Sequence, residues 1–523
     1  MRLGAMVSRM EAVRNFMTDV VHVPLPPMVV ASAHLQEILG TNALFSFDAC
    51  LGPGFSTKTR GMSSILYHMC ERRNEKAGGG SLSVADTLRT LLEGTHFVVA
   101  STGSHARSMC AFSQWMLEQF DINTSVEVIL TADAPSSKQE IVAEMGASLS
   151  ISGDFAQATA NAIDKERVYA TQNKQALFIP TDPIDKEAPS GLFNWSDGTP
   201  GMATILADLT TNLDLLDESG SVERLVIPTS GGATWSACHA VSEYLRANSA
   251  RFDLVVPNSV TAVGSVTSQP VRSSLVEDTL VSDYVRANLC SAINGLDQPD
   301  MSPWAFDATR NVPAAKENVF HVGCSMARLA QLIIRGETGV LPEPAGAAGL
   351  GCDLELQFSR HASLTSQRFA RLMAIYGVTP TEIEKQVKLD AKPSLSREDL
   401  KRLKVAVGAA PATRETNAVA PASTKSVYVV TGAWEKQNPT RGIELVEDEL
   451  RSKSCDAVRV ANLSHCLAYG LNKDGISVES NKSASRVVHL KSALNAIGRR
   501  SVAPSFQIGL DTTRQQLQQA GIL

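Results

Sequence analysis

The sequence contains no apolar run long enough to span a membrane, no internal repeat and no excess of basic residues. Its formal net charge is −6 at pH 7, which argues against a surface for nucleic acid or for an anionic membrane. Arginines near the N-terminus are interrupted by Glu11 and Asp19, a pattern that does not favour a transit peptide. These features predict a cytoplasmic protein without a nucleic-acid or membrane partner.

Cysteine is also used without a recognisable framework. The nine cysteines include no Cys-x-x-Cys pair, and most of them lie within apolar patterns, where a buried free thiol is usual. Cys455 and the pair His465-Cys466 have no fourth ligand at a spacing that a metal site needs. The sequence therefore predicts a protein of a reducing compartment that has no metal site.

What the sequence does contain is enough apolar residues for more than one core. Its 523 residues are 44% hydrophobic and 20% charged, as is typical of soluble globular proteins. A chain of this length exceeds one ordinary domain, so two or three cores are expected.

One lysine lies immediately before an amphipathic pattern. The apolar residues after Lys58 recur at helical spacing, at Met62, Ile65, Leu66, Met69 and Cys70. A lysine at a helix start and at the rim of a core loses its proton readily when it is desolvated. The neutral amine can then form a Schiff base. Taken alone, the spacing favours a solvated surface lysine.

Three further segments place small polar residues after an apolar strand pattern. Residues 97–100 precede the run 101–106, residues 224–228 precede 229–234, and residues 427–430 precede Thr431. A strand, a turn of small residues and a helix together aim backbone N–H groups at an anion, and Ser and Thr hydroxyls add donors. The first two segments therefore predict anion-binding turns, and the third a hydroxyl at the end of a strand.

These motifs resemble those of the fold-type II pyridoxal-phosphate enzymes, the family of tryptophan synthase β, threonine synthase and the serine/threonine dehydratases. The similar segments occur in the family's order over roughly residues 20–440, at 56–61, 101–106, 228–234, 343–348 and 431–432. The resemblance implies the α/β fold class, with two open twisted α/β domains. It also implies pyridoxal 5′-phosphate as the cofactor and an amino acid as the substrate.

The resemblance further implies a role for each matched residue. Lys58 would be the catalytic, Schiff-base lysine. Contacts to the cofactor are expected from Lys58, Ser104, Ser230, Gly231, Gly232, Ala233, Thr234 and Thr431. Contacts to the substrate carboxylate are expected from Ser101, Thr102, Gly103 and His105.

Four residues in or near the matched motifs have more than one possible role. His105 also fits a helix-start residue that the backbone satisfies, and Glu343 also fits a cap of the helix that follows it. Arg60 favours a structural ion pair over a substrate contact. Ser104 stands where the family usually has Asn, and its shorter hydroxyl either falls short of the cofactor's 3′-oxygen or acts through water.

The reaction implied is elimination or replacement at the β or γ carbon of an amino acid, of threonine synthase-like type. A serine/threonine dehydratase-like or ammonia-lyase-like reaction that releases a 2-oxo acid is the alternative. A catalytically silent relative that uses the fold for binding is a third hypothesis, from another class. Because the family is commonly dimeric, a homodimer is expected.

The order of elements divides the chain into three parts. Residues 1–80 and 166–440 are predicted to form a large cofactor-binding domain, and residues 81–165 a small α/β domain. Residues 441–523 form a C-terminal extension of unknown role. Within the large domain, 255–310 is predicted to contain an insertion near the mouth of the site, and 409–425 to be a surface linker.

Overall fold

The structure is a computed structural model that describes the chain from Leu3 to Gly432 with several gaps. Within this range it leaves out residues 24, 27, 55, 77–82, 102, 133, 135, 173, 182–185, 216–220, 249–253, 266–268, 282–295, 297–299, 313–314, 339, 341, 361–374 and 377–423. The predicted C-terminal extension and all but the last two residues of the predicted linker lie outside the described residues.

Strands and helices alternate along most of the described chain. The strands are β1 Met28–Val30, β2 Asn42–Ser46, β3 His96–Ser101, β4 Ser125–Thr131, β5 Ser148–Ser152, β6 Ala176–Phe178, β7 Val222–Pro228, β8 Ser259–Ser265, β9 Val319–Val322 and β10 Lys425–Val429. The helices are α1 Leu3–Asp19, α2 Ala33–Leu39, α3 Lys58–Lys76, α4 Val84–Leu92, α5 Ser104–Phe120, α6 Ser136–Glu144, α7 Phe155–Thr171, α8 Thr199–Ala203, α9 Ile205–Leu215, α10 Ala233–Ala247, α11 Pro270–Glu277, α12 Pro303–Thr309, α13 Cys324–Thr338 and α14 Pro344–Arg360. None of these helices combines the length and the apolar character needed to cross a membrane.

Among the described residues, the larger sheet has six strands in the order β1-β2-β10-β7-β8-β9. Strand β1 is antiparallel to β2, and the other pairs are parallel. The last strand, β10, lies between β2 and β7, with Tyr428 opposite both Phe45 and Val226. Because parallel strands end at the same edge, the segments after β2, β7 and β10 meet there.

Both faces of this sheet are covered, as expected for parallel strands. Along β7, Val226 packs into one core cluster, whereas Leu225 and Ile227 pack into the cluster on the opposite face. On β8, Val263 and Ala262 divide between the two clusters in the same way. Two cores therefore sandwich the large sheet.

In the part of the chain that the structure describes, the smaller sheet has four parallel strands in the order β5-β4-β3-β6. Its strand β3 occurs where the sequence predicts an apolar strand, at 97–100. The fourth, β6, pairs Phe178 with Val98 and so extends the sheet beyond the predicted limit of 165. A three-residue strand has too little alternation to be recognised in the sequence.

The polar stretch 255–310 contributes regular elements to the fold, and the insertion predicted within it stays a prediction, because residues 282–295 lie outside the described residues. It contains β8, an interior strand of the large sheet, followed by α11 and α12. Small and polar residues such as Thr261 and Gly264 are buried in β8. The apolar pattern was therefore weak even though the strand is central.

Candidate active site

A cleft opens at the edge where β2, β7 and β10 end, facing the end of β3. It encloses about 770 Å³, including the part open to solvent, a size suited to a small-molecule ligand. It brings together nine of the predicted site residues: Lys58, Ser101, Ser104, His105, Ser230, Gly232, Ala233, Thr234 and Thr431. Gly103 and Gly231 belong to the same turns without lining the cleft, and Thr102 lies outside the described residues.

The loop that carries Lys58 is fixed to the end of β10. The Thr57 N–H donates to the Thr431 carbonyl at 2.9 Å, and the Lys58 N–H donates to Ser56 Oγ at 3.2 Å. Lys58 begins α3, whose residues Met62 and Leu66 are buried as predicted. The Lys58 Nζ donates to the Thr181 carbonyl oxygen at 3.5 Å, so its one hydrogen bond to the described residues is long.

Arg60 is buried beneath this loop and does not face the cleft. Its guanidinium donates to both carboxylate oxygens of Asp48 at 2.8 and 2.7 Å, and to Asp208 at 2.6 Å. A fourth bond, of 2.6 Å, reaches Thr204 Oγ1. Burial lowers the pKa of Arg60, but Asp48 and Asp208 outweigh it, so the net shift is upward. Arg60 therefore has the structural role that the sequence favours.

The loop after β3 is held by its first serine. Ser101 Oγ accepts the N–H groups of Gly103 at 2.8 Å and of Ala106 at 3.1 Å. Gly103 has φ +129°, a conformation that only glycine adopts easily. The turn thus sets the direction in which α5 begins and places Ser104 and His105 at the cleft.

Ser104 pairs with Glu343 across the cleft. Its Oγ lies 2.8 and 3.0 Å from the two carboxylate oxygens and donates to them, which uses its single hydrogen. Glu343 is held in turn by its own N–H, which donates to the Gly432 carbonyl at 2.8 Å. Burial lowers the pKa of the Arg107 guanidinium, whereas the Glu343 carboxylate raises it. The contact of Ser104 with the cofactor remains a prediction.

His105 is bound to the backbone on one side of its ring. The Nε2 atom lies 3.0 Å from the Ile179 carbonyl oxygen; because a carbonyl only accepts, Nε2 carries the hydrogen. Burial, followed by the charge of Lys58, lowers the pKa of His105 to about 4. The ring is therefore neutral near pH 7, and its Nδ1 atom is an acceptor.

The turn between β7 and α10 has the features of an anion site. Gly232 caps α10 with φ +93° and without a side-chain hydrogen bond. A Cβ there would lie 3.2 Å from Val271 Cγ2 and 3.3 Å from Ala305 Cβ. The first N–H groups of a helix have no partner within the helix, and Ala233 and Thr234 line the cleft. This end of α10 is thus suited to a phosphate.

Two hydroxyls of the cleft were not predicted as site residues. Thr57 Oγ1 and Thr229 Oγ1 are buried and have no hydrogen-bond partner among the described residues. Thr229 follows Pro228 at the start of the predicted phosphate turn, so its place in the motif could have identified it. Thr57 precedes Lys58, and its hydroxyl could not be placed without the fold. Unsatisfied hydroxyls beside an amine and a helix N-terminus fit a polar, phosphorylated ligand.

Comparison with known proteins agrees with this geometry. A family model described as pyridoxal-phosphate dependent enzyme matches residues 24–357, more than half of the chain. The fold is similar to that of diaminopropionate ammonia lyase from Escherichia coli, at TM-score 0.52 and 13% identity, with 82% of this chain and 89% of that chain covered. It is also similar to maize serine racemase, at TM-score 0.50 and 14% identity, with 84% and 97% covered. No match was found among the curated proteins.

Proposed function

This chain belongs to the family of pyridoxal-phosphate-dependent enzymes, and on that premise we propose that it eliminates or replaces a substituent at the β or γ carbon of an amino acid. The predicted fold class and the cofactor, pyridoxal 5′-phosphate, are confirmed by the family match and by the fold. The observation that supports catalysis is the Lys58 side chain, which lines the same cleft as the first residues of α10. When bound, the cofactor would supply a ring that withdraws electrons from the α carbon of an amino acid joined to it.

Lys58 is the residue that we assign to bind the cofactor covalently and to move the α-proton. Its Nζ lies in the cleft with one long contact, so the amine is available for both tasks. The carbonyl of Thr431, bonded to the Thr57 N–H, fixes the backbone from which Lys58 extends. The presence of this lysine in the cleft is the reason to prefer an enzyme over a silent relative of the family.

We assign the anionic groups of the cofactor and of the substrate to two different turns. We assign the phosphate to the turn before α10, with Ser230, Gly231, Gly232, Ala233 and Thr234 as predicted and Thr229 in addition. We assign the substrate carboxylate to the turn before α5, which carries Ser101 and Gly103. Each turn ends in a helix N-terminus, where N–H groups and the helix dipole favour negative charge.

Thr431 supports elimination or replacement over transamination or racemisation. The resemblance to the family implies that the neutral hydroxyl of Thr431 meets the pyridine nitrogen of the cofactor, and a hydroxyl cannot form the charge-assisted bond that a carboxylate makes to a protonated ring nitrogen. Thr431 therefore does little to prolong negative charge at the α carbon, and departure of a leaving group competes well with reprotonation. Release of a 2-oxo acid, as in an ammonia lyase, is the outcome when no second substrate replaces the leaving group.

The assignment of Lys58 is tested by reduction with borohydride. The purified protein should be yellow, and reduction should fix the cofactor to the peptide that contains Lys58, as measured by mass spectrometry. Lys58→Ala should remove the visible band, whereas Lys186→Ala, outside the cleft, should keep it. Attachment at another lysine would contradict the assignment.

The reaction class is tested at Thr431. Thr431→Asp should lower the release of 2-oxo acid by about tenfold, the equivalent of one hydrogen bond in the transition state. It should also raise conversion of the cofactor to its amine form. Thr431→Ser is the matched control, since it keeps the hydroxyl. Rapid conversion of the cofactor to its amine form by the unmodified enzyme would contradict the proposal.

A panel of amino acids with β or γ leaving groups would identify the substrate. The homodimer and the cytoplasmic location stay predictions.

A further inference from the structure

A second, smaller cavity shares Lys58, His105 and Thr181 with the cleft. The rest of its wall is mostly apolar side chain and glycine backbone: Gly61, Met62, Ile65, Pro180, Gly198 and Met202. Trp195 completes the wall. The cavity has room for one water molecule.

Two buried polar atoms belong to the residues of this wall. His105 Nδ1 and Trp195 Nε1 have no hydrogen-bond partner within the part of the chain that the structure describes. With its hydrogen on Nε2, His105 offers Nδ1 as an acceptor, and the Trp195 indole N–H is a donor only. Buried polar groups in proteins are nearly always satisfied, by protein or by ordered water. A cavity with only apolar walls would stay dry, but two residues of this wall carry an unsatisfied acceptor and an unsatisfied donor.

We propose that one water molecule occupies this cavity, accepting a hydrogen bond from Trp195 Nε1 and donating one to His105 Nδ1. Such a water keeps one lone pair and one hydrogen for the third polar group of the wall, Lys58 Nζ. Three partners are usual for a buried water. The side chains of His105 and Trp195 thereby contact Lys58 through a single solvent molecule.

A consequence for Lys58 rests on the proposed function. The contact of Nζ with the Thr181 carbonyl is 3.5 Å long, and the proposed water supplies a second polar partner that restricts the orientation of the amine. His105 then acts as a positioning residue for Lys58, a role different from the substrate contact that the sequence predicts for it.

A crystal structure of the unmodified protein at high resolution tests the water site directly. We expect a density peak within about 2.7–3.2 Å of both His105 Nδ1 and Trp195 Nε1. A dry cavity, or a protein group bonded to either atom, would overturn the proposal. This result does not depend on what the enzyme catalyses.

A pair of tryptophan variants tests the consequence for Lys58. Trp195→Phe removes the donor and keeps a ring against Phe178, which Trp195 contacts edge-on at 5.5 Å between centroids. We expect protein stripped of cofactor to capture pyridoxal 5′-phosphate about three- to tenfold more slowly in this variant, as the loss of one hydrogen bond implies. Capture is followed by the visible absorbance.

Trp115→Phe is the matched control, because Trp115 packs between Phe112 and Phe120 in α5, away from the cavity. It should capture the cofactor at the unmodified rate, and the affinity for inorganic phosphate should be unchanged in both variants. An unchanged capture rate in Trp195→Phe would overturn the positioning role. Failure of the unmodified protein to bind the cofactor would instead contradict the proposed function, while the crystal structure would still decide the water site.

Discussion

Replacing Arg60 by methionine should strongly lower the free energy of unfolding, although Arg60 does not line the cleft. The Arg60 side chain is fully buried, as is Asp48, and Asp208 is 2% exposed. Methionine fills a similar volume but leaves the Asp48 carboxylate buried with its two guanidinium bonds lost. Removing one partner of a buried ion pair typically costs about 3–5 kcal/mol, because the other charge is left uncompensated.

The geometry indicates which carboxylate would be left uncompensated in Arg60→Met. Asp208 keeps Arg14, which donates to it from α1, whereas both Asp48 oxygens bond to Arg60. The double variant Asp48→Leu with Arg60→Met should therefore regain most of the lost stability, since an apolar pair often replaces a buried ion pair without loss. The difference between the single and double variants measures the coupling.

Urea unfolding measures the effect. A lower midpoint at an unchanged slope would show a change in stability alone. Arg167→Met is the control, because Arg167 and Asp164 form an ion pair with 67% and 70% exposed side chains, and such pairs contribute about 0–1 kcal/mol. If Arg60→Met lost no more stability than Arg167→Met, the reasoning from buried charge would be wrong.

Two further changes test the packing and the charge of the fold. Gly201→Ala should destabilise the protein by at least about 1–3 kcal/mol in thermal unfolding, because its Cβ would lie 2.1 Å from the Arg60 carbonyl oxygen. Gly153→Ala, whose Cβ meets nothing within 4 Å, should stay within about 1 kcal/mol of the unmodified protein; an equal loss in both would contradict the packing argument. In the unmodified protein, the free energy of unfolding should decrease as the pH rises through about 7, and Glu166→Gln should abolish this decrease. The urea midpoint, measured below and above pH 7, checks it.

The elements that sequence reasoning predicted are those with a local signal. The helix after Lys58 has apolar residues at helical spacing from Met62 to Cys70, and β3 contains the continuous apolar run 97–100 before a polar turn. By contrast, β6 is three residues long and β8 is rich in small and polar residues, so neither has a pattern that stands out. Burial of a small residue depends on what packs against it, which periodicity does not contain.

The candidate site likewise contains residues that local motifs predict and partners that only the fold shows. The cofactor motifs predicted nine residues that line the cleft, because each motif is a short stretch of backbone with its own geometry. The partners of these residues come from distant segments: Glu343 is 239 positions from Ser104, and Asp208 is 148 positions from Arg60. The role of Ser104 as a donor to Glu343 could not be inferred from the substitution for Asn, since only the fold brings the carboxylate to it.

Glu166 shows how such a tertiary relation becomes a measurable pH dependence. Its side chain is fully buried on α7, and its Oε2 accepts the Phe178 N–H at 3.2 Å. Burial raises the pKa of Glu166 to about 7, although the N–H groups of Phe178 and Ser190 and the charge of Arg167 lower it.

Because the pKa of Glu166 is higher in the folded protein than its ordinary value of 4.5, the folded state binds the proton more tightly. This contribution to stability is complete below about pH 4.5 and is lost as the pH rises through about 7. The shift in the pKa of Glu166 corresponds to about 3 kcal/mol of folding free energy.

Glutamine keeps an acceptor for the Phe178 N–H and carries no charge, so Glu166→Gln should be more stable than the unmodified protein above pH 7. Glu118→Gln, at an exposed position of α5, should leave the pH dependence unchanged. A pH dependence that persists in Glu166→Gln would show that another group causes it.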